Sequence, residues 1–253
     1  MRRGYTIAVA GKGGTGKTTI SALLILFLRE RGTVLAVDAD PSSNLHLALG
    51  VPLRRTLGDV REEFDRKVSK GEFPIDFDKH KYWEYKIMEA LVESEGFDLL
   101  AMGRPEGPGC YCAANHLLRG ALDRLAGDYD FIVVDCEAGM EHISRQTTRD
   151  VNVLLLIADP TAKGIAAAAR MRDLAFELRN NIERVLLVMN RVDGEIPEIL
   201  RKQIESSGLE LAVVIPRDPY LPGLEIEGRP LTELPPDSPL REGAREILRK
   251  IGL

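Results

Sequence analysis

Nine residues near the start, Gly11-Lys12-Gly13-Gly14-Thr15-Gly16-Lys17-Thr18-Thr19, constrain this chain more than any others. An apolar run, residues 6–10, precedes them and reads as a buried strand; residues 20–29 follow and read as a buried helix closed near Gly32. Strand, glycine-rich loop ending in Gly-Lys-Thr, and helix together make a phosphate-binding loop. Gly11, Gly13, Gly14 and Gly16 let the backbone turn tightly, so that the N–H groups up to Thr15 and Thr19 can point at one anion. The helix N-terminus adds its partial positive charge. Lys17 is expected on the β- and γ-phosphates, and the Thr18 hydroxyl on Mg²⁺.

A loop of this kind needs a parallel sheet behind it, and the later apolar runs supply one. Residues 34–37, 97–102, 131–135, 151–157, 184–189 and 209–215 read as buried strands. Helical stretches separate most of them: 44–49, 56–69, 82–94, 115–125 and 165–178, with a break at 71–74. The expected fold is α/β, a mostly parallel sheet flanked by helices on both faces. A chain of 253 residues with 44% apolar content suits a single domain, residues 1–253.

Several of these strands end in residues that can do chemistry, at the sheet edge where ligands bind in open α/β folds. Asp38 and Asp40 follow the second strand. Asp40 could orient or deprotonate an attacking water, and Asp38 could support the Mg²⁺ shell. Asp135 closes the strand at 131–135 as the expected further Mg²⁺ carboxylate, and Gly139 could let the next loop sense the γ-phosphate. Asn190, Pro216 and Asp218 lie at strand ends where a base would be held. Asn190-Arg191-Val192-Asp193 is also similar to the Asn-Lys-x-Asp element with which GTPases read guanine. Trp83 and its aromatic neighbours read as core or partner surface.

A second unusual stretch is Gly109-Cys110-Tyr111-Cys112, with His116 close behind. In extended backbone, residues i and i+2 point the same way, so both sulfurs could reach one metal ion. Two thiolates leave a four-coordinate site incomplete; either His116 joins, or a two-fold partner supplies the same pair again. Soft thiolates suit Zn²⁺, Cu(I) or Ni²⁺.

The formal charge of −5 gives no electrostatic footprint for nucleic acid. Three cysteines, with no signal peptide in view, point to a reducing, cytoplasmic setting. No apolar run reaches membrane-spanning length. Residues 238–251 form an amphipathic helix expected to close a domain edge rather than to lie on a membrane.

Lys12 narrows the field. Gly-Lys-Gly-Gly-x-Gly-Lys-Thr-Thr resembles the deviant Walker A motif of the MinD/ParA/nitrogenase-iron-protein class of dimeric P-loop ATPases. The resemblance implies ATP as substrate and a homodimer in which Lys12 crosses to the partner's nucleotide. It also places Lys17 and Thr18 on phosphate and Mg²⁺, Asp40 as the water-positioning switch carboxylate, Asp135 at Walker B, and Asn190 on adenine. Within that class the chain is similar to the CooC-type nickel-insertion ATPases of carbon monoxide dehydrogenase maturation, and to their acetyl-CoA synthase counterparts. The likeness is sharpest at Cys110-Tyr111-Cys112, Asn115 and Glu137-Ala138-Gly139-Met140-Glu141-His142, and weakest over residues 50–97. It implies that Cys110 and Cys112 of two subunits hold one Ni²⁺ or Zn²⁺, with carbon monoxide dehydrogenase/acetyl-CoA synthase as client. A MinD/ParA-like positioning ATPase and an iron–sulfur reductase-type ATPase are the alternatives.

Overall fold

The computed structural model describes residues 4–74, 76–104, 112–137, 150–177 and 181–253, with backbone alone at 79–80 and 112–116. Its centre is an eight-stranded sheet: β1 (Tyr5–Gly11), β2 (Val34–Ala39), β3 (Val92–Ser94), β4 (Phe97–Ala101), β5 (Phe131–Cys136), β6 (Asp150–Ala158), β7 (Asn181–Val192) and β8 (Leu211–Pro216). The order across the sheet is β3-β4-β2-β5-β1-β6-β7-β8, and every pair but β3–β4 is parallel. Parallel strands buried on both faces need apolar residues on both faces, which is why these segments read as continuous runs.

Alternate residues of β1 show the two-sidedness: Ile7 and Val9 enter one core, Ala8 and Ala10 the other. The first core is covered by α1 (Lys17–Leu28), α2 (Leu45–Leu49), α8 (Leu221–Glu227) and α9 (Pro239–Ile251). The second is covered by α3 (Leu57–Ser69), α4 (Lys79–Ala90), α5 (Cys112–Leu125), α6 (Ala162–Glu177) and α7 (Glu198–Ser207). From Ile20 to Leu28, α1 is buried on every side, wedged between sheet and α9. Helix α9, capped by the Ser238 hydroxyl, buries Leu240, Ala244, Ile247, Leu248 and Ile251 in that core. Arg241 and Arg245 lie over the Phe27 ring, 5.2 and 5.0 Å from its centroid. The apolar stripe is therefore part of the fold and not free to meet a bilayer. Among the described residues no helix is long and apolar enough to cross a membrane.

Three local readings change. The helix expected over 82–94 spans Lys79–Ala90, and Val92–Ser94 turns at Glu95-Gly96 to pair antiparallel with β4. A three-residue strand is too short to show a period of two, so helical periodicity overran it. Helix α5 begins at Cys112 and not near 115, so Cys112 is helical rather than extended. Helices α7 and α8 go beyond the elements read from sequence. Phe64, Phe73, Phe77, Tyr82 and Trp83 pack as one aromatic cluster on α3–α4, with Phe64 and Trp83 centroids 4.7 Å apart. Beside it Glu63 is ringed by Lys67, Arg55 and Lys86, whose hydrogen bonds pull its carboxyl down to about 2.

Candidate nucleotide site

Strands β5 and β6 flank β1, and the chain leaves β1 at this switch in strand order, where a crevice opens at the strand C-termini. Residues 12–16 fill the rim of that crevice. Gly16 has φ 94, a left-handed conformation that favours glycine, and a Cβ there would push against Asn190 Nδ2 at 2.5 Å. The Lys12 carbonyl organises the loop, accepting from Thr15 Oγ1 at 2.9 Å and from Lys17 Nζ at 3.4 Å. Lys17 is buried, whereas Lys12 is exposed. A phosphate entering the loop would replace a carbonyl as the acceptor of the Lys17 ammonium.

Behind Lys17 stand the carboxylates. Asp38 and Asp135 are partners in the parallel register of β2 and β5, and both are buried. Thr18 Oγ1 donates to Asp135 Oδ2 at 2.6 Å, and Ser21 Oγ donates to Oδ1 at 3.1 Å. Burial pushes Asp135 up to about 6, with Asp40 adding to the rise and Lys17 and the hydroxyls opposing it. Burial likewise pushes Asp38 up to about 7, against hydrogen bonds from the Leu45 and Asp40 N–H groups. Two buried carboxylates and a hydroxyl short of positive charge form a donor set that fits Mg²⁺, a hard cation bound through oxygen. Thr18 and Asp135 would hold it, with Asp38 behind. Asp40, half-buried at the end of β2, accepts from the Ser42 N–H at 2.9 Å and from the Ser42 hydroxyl.

Asn190 is brought to the loop from β7: its Nδ2 donates to the Thr15 carbonyl at 2.8 Å and its Oδ1 accepts from the Arg191 N–H at 2.9 Å. With Arg191, Arg217, Asp218, Leu221, Pro222, Glu225 and Leu240 it lines a cleft of about 240 Å³ beside the loop. A second hollow of about 400 Å³ touches Thr18 and Thr19 and shares Leu221 and Glu225 with the first. No aromatic ring of the α3–α4 cluster lines either one.

The two strand-end residues expected beside the base, Asp218 and Pro216, differ in their placement. Asp218 lines the cleft, but its carboxylate accepts from Tyr220 N–H, Leu221 N–H, the Ser238 hydroxyl and Leu240 N–H. These four bonds occupy its acceptor positions and cap the starts of α8 and α9. Pro216, exposed at the end of β8, is not among the residues lining the cleft. Asp193, the guanine-reading position of the GTPase-like element, is ion-paired with Arg217 at 3.1 Å. Arg191, which donates Nη1 to the Gly14 carbonyl at 2.8 Å, was not singled out by sequence reasoning.

Cys110, Gly139 and His142 lie outside the described residues; Cys112 and His116 are placed by backbone alone in the first turns of α5. Among the described residues no group of three or more His, Cys, Asp and Glu is arranged to hold a metal ion. Cys136 is buried, its thiol pushed up to about 12 by burial, which suits a packing role.

Sheet order, loop and paired carboxylates define a P-loop ATPase. The family model for the CobQ/CobB/MinD/ParA nucleotide binding domain matches residues 6–231, and the chain belongs to that family. An uncharacterized ATP-binding protein of Methanocaldococcus jannaschii is 43% identical over 246 residues, 97% of each chain. The carbon monoxide dehydrogenase accessory protein CooC of Rhodospirillum rubrum is 32% identical over 203 residues, 75% of each chain. Among solved structures, the septum site-determining protein MinD of Pyrococcus horikoshii, complexed with Mg-ADP, superposes with a TM-score of 0.70 at 23% identity. That match covers 98% of this chain and 96% of the other, and shows the fold.

Proposed function

We propose that this ATPase works as a nucleotide-dependent homodimer in the cytoplasm, coupling ATP binding and hydrolysis to delivery of nickel into carbon monoxide dehydrogenase/acetyl-CoA synthase. The observation that carries this reading is the presence, in one chain similar to CooC, of Lys12 at the phosphate loop and of Cys110-Tyr111-Cys112. The loop amides and Lys17 hold the β- and γ-phosphates, with Thr18, Asp135 and Asp38 on the cation side. Mg²⁺, when bound, neutralises charge on the phosphate oxygens. Asp40 orients the attacking water. The Lys12 ammonium has no hydrogen-bond or ion-pair partner among the described residues and the residue is exposed, as a cation that acts on the partner's γ-phosphate must be. The same two-fold axis brings Cys110 and Cys112 of two subunits together, and four thiolates complete a tetrahedral site for Ni²⁺ or Zn²⁺ as cargo. With Asn190 at the cleft and Asp193 held by Arg217, adenine is the favoured base.

Metal stoichiometry per dimer, measured with and without Mg-ATP, tests the proposal. Wild type should bind one Ni²⁺ or Zn²⁺ per dimer. Cys110→Ala/Cys112→Ala should bind none yet still dimerise, and Lys12→Gln should bind Mg-ADP but fail to dimerise with ATP. Undiminished metal in the double cysteine variant would sink the cargo site.

A further inference from the structure

Strand β7 is irregular at one place, and both consequences face the phosphate loop. Its register with β8 shifts between Met189 and Val192. Within that shift Arg191 has φ 60, a left-handed conformation that residues with a Cβ seldom adopt. Regular strands send neighbouring side chains to opposite faces; an irregularity of this kind re-aims them. Here Asn190 and Arg191 both turn to the loop and donate to consecutive carbonyls, Thr15 and Gly14, each at 2.8 Å. Asn190 also accepts the Arg191 N–H and so fixes the left-handed residue in place. Both side chains line the cleft of about 240 Å³ at the sheet edge. Gly14 itself has φ 79 and stands two residues from Lys12.

We propose that Arg191 is a positioning residue that couples occupancy of the base cleft to the presentation of Lys12. A base in the cleft covers the guanidinium and shields its bond to Gly14 from water. A hydrogen bond in a drier setting is stronger. The pinned Gly14 peptide then sets the turn from which Lys12 projects. This rests on the reading above, in which Lys12 acts across a dimer.

Arg191→Gly is the informative substitution, because glycine accepts φ 60 without strain while the whole side chain, guanidinium included, is lost; Arg191→Lys keeps the stem and one cationic donor. In Arg191→Gly, kcat and ATP-driven dimerisation should fall about tenfold or more, the scale of one charge-assisted hydrogen bond, while Mg-ADP affinity stays within about threefold, because the misplaced Lys12 acts only in the ATP dimer. Arg191→Lys should recover part of the loss. Equal weakening of ADP and ATP with unchanged kcat would make Arg191 a mere cleft wall and overturn the coupling. Should wild type itself not dimerise with Mg-ATP, the proposed function fails, and hydrogen exchange of amides 12–16 in the ADP complex decides the inference separately. Faster exchange in Arg191→Gly supports loop positioning; equal exchange removes it.

Discussion

The ends of β5 and β8 make an instructive pair. Each carries a buried aspartate at the C-terminal edge of a parallel sheet, Asp135 and Asp218. Among the described residues Asp135 accepts from two hydroxyls alone, shares its surroundings with Asp38 and Asp40, and is pushed up to about 6. Asp218 accepts from three backbone N–H groups and one hydroxyl, and these belong to the helices that close the first core. One carboxylate is left short of positive charge, which is the condition for binding a cation. The other is saturated, which is the condition for holding two helix ends together. Position at a strand end does not separate the two roles; the donors around them do.

The largest effect that could break this contrast is on turnover. Asp135→Asn should lower kcat for ATP by about 100-fold or more, since it removes a carboxylate that steadies the metal and phosphate charge. Thermal melting of the nucleotide-free variant should change little, because relief of the buried charge offsets the weakened Thr18 and Ser21 hydrogen bonds. Asp218→Ala should do the reverse. It strands buried backbone donors, each at a cost of about 1–3 kcal/mol, so the melting temperature should drop by roughly 5–10 °C while ATP affinity changes little. A melting loss in Asp135→Asn as large as in Asp218→Ala would erase the distinction.

A smaller effect lies in the pH dependence. Asp38 and Asp135 keep their protons to about 7 and about 6 in the folded chain, against 3.8 for an ordinary aspartate. Between those limits the folded state binds more protons than the unfolded one, so stability falls as pH rises from about 4 to about 7 and is level above that. The two sites titrate as a coupled pair. Melting curves of the metal-free protein should show this slope, and Asp38→Asn should flatten it; an unchanged slope would mean that the buried pair is already compensated.

Smallest is the change in base preference. Arg217→Ala frees Asp193, whose carboxylate could then accept from guanine, and should narrow the ATP-over-GTP preference by a few-fold, roughly the scale of an exposed ion pair. Competition between the two nucleotides reads this directly. No change would place Asp193 out of reach of the base.

Much of the ATP-binding half was legible because its signals are local. Lys17 and Thr18 follow from loop spacing, and Asp38 and Asp135 from their places at the ends of apolar runs. The structure then brings Thr18 and Asp135 to 2.6 Å across 117 residues of chain. The capping role of Asp218 was not legible because its four donors come from residues up to 22 positions away, on helices invisible to a strand-end rule. Arg191 was named only as part of the GTPase-like element, because nothing in its neighbours announces a left-handed backbone; the register shift against β8 does.

By itself, then, the sequence determined the strand–loop–helix phosphate cradle, the parallel sheet behind it and the buried stripe of α9. Each of these is written in short-range spacing and periodicity, which follow directly from backbone geometry. Only the tertiary structure decided which strand-end carboxylate is left charge-deficient and which is capped, that β3 folds back antiparallel, and that Asn190 and Arg191 grip the loop. Those outcomes depend on hydrogen-bond partners contributed by distant segments, and no local pattern records which donors will arrive.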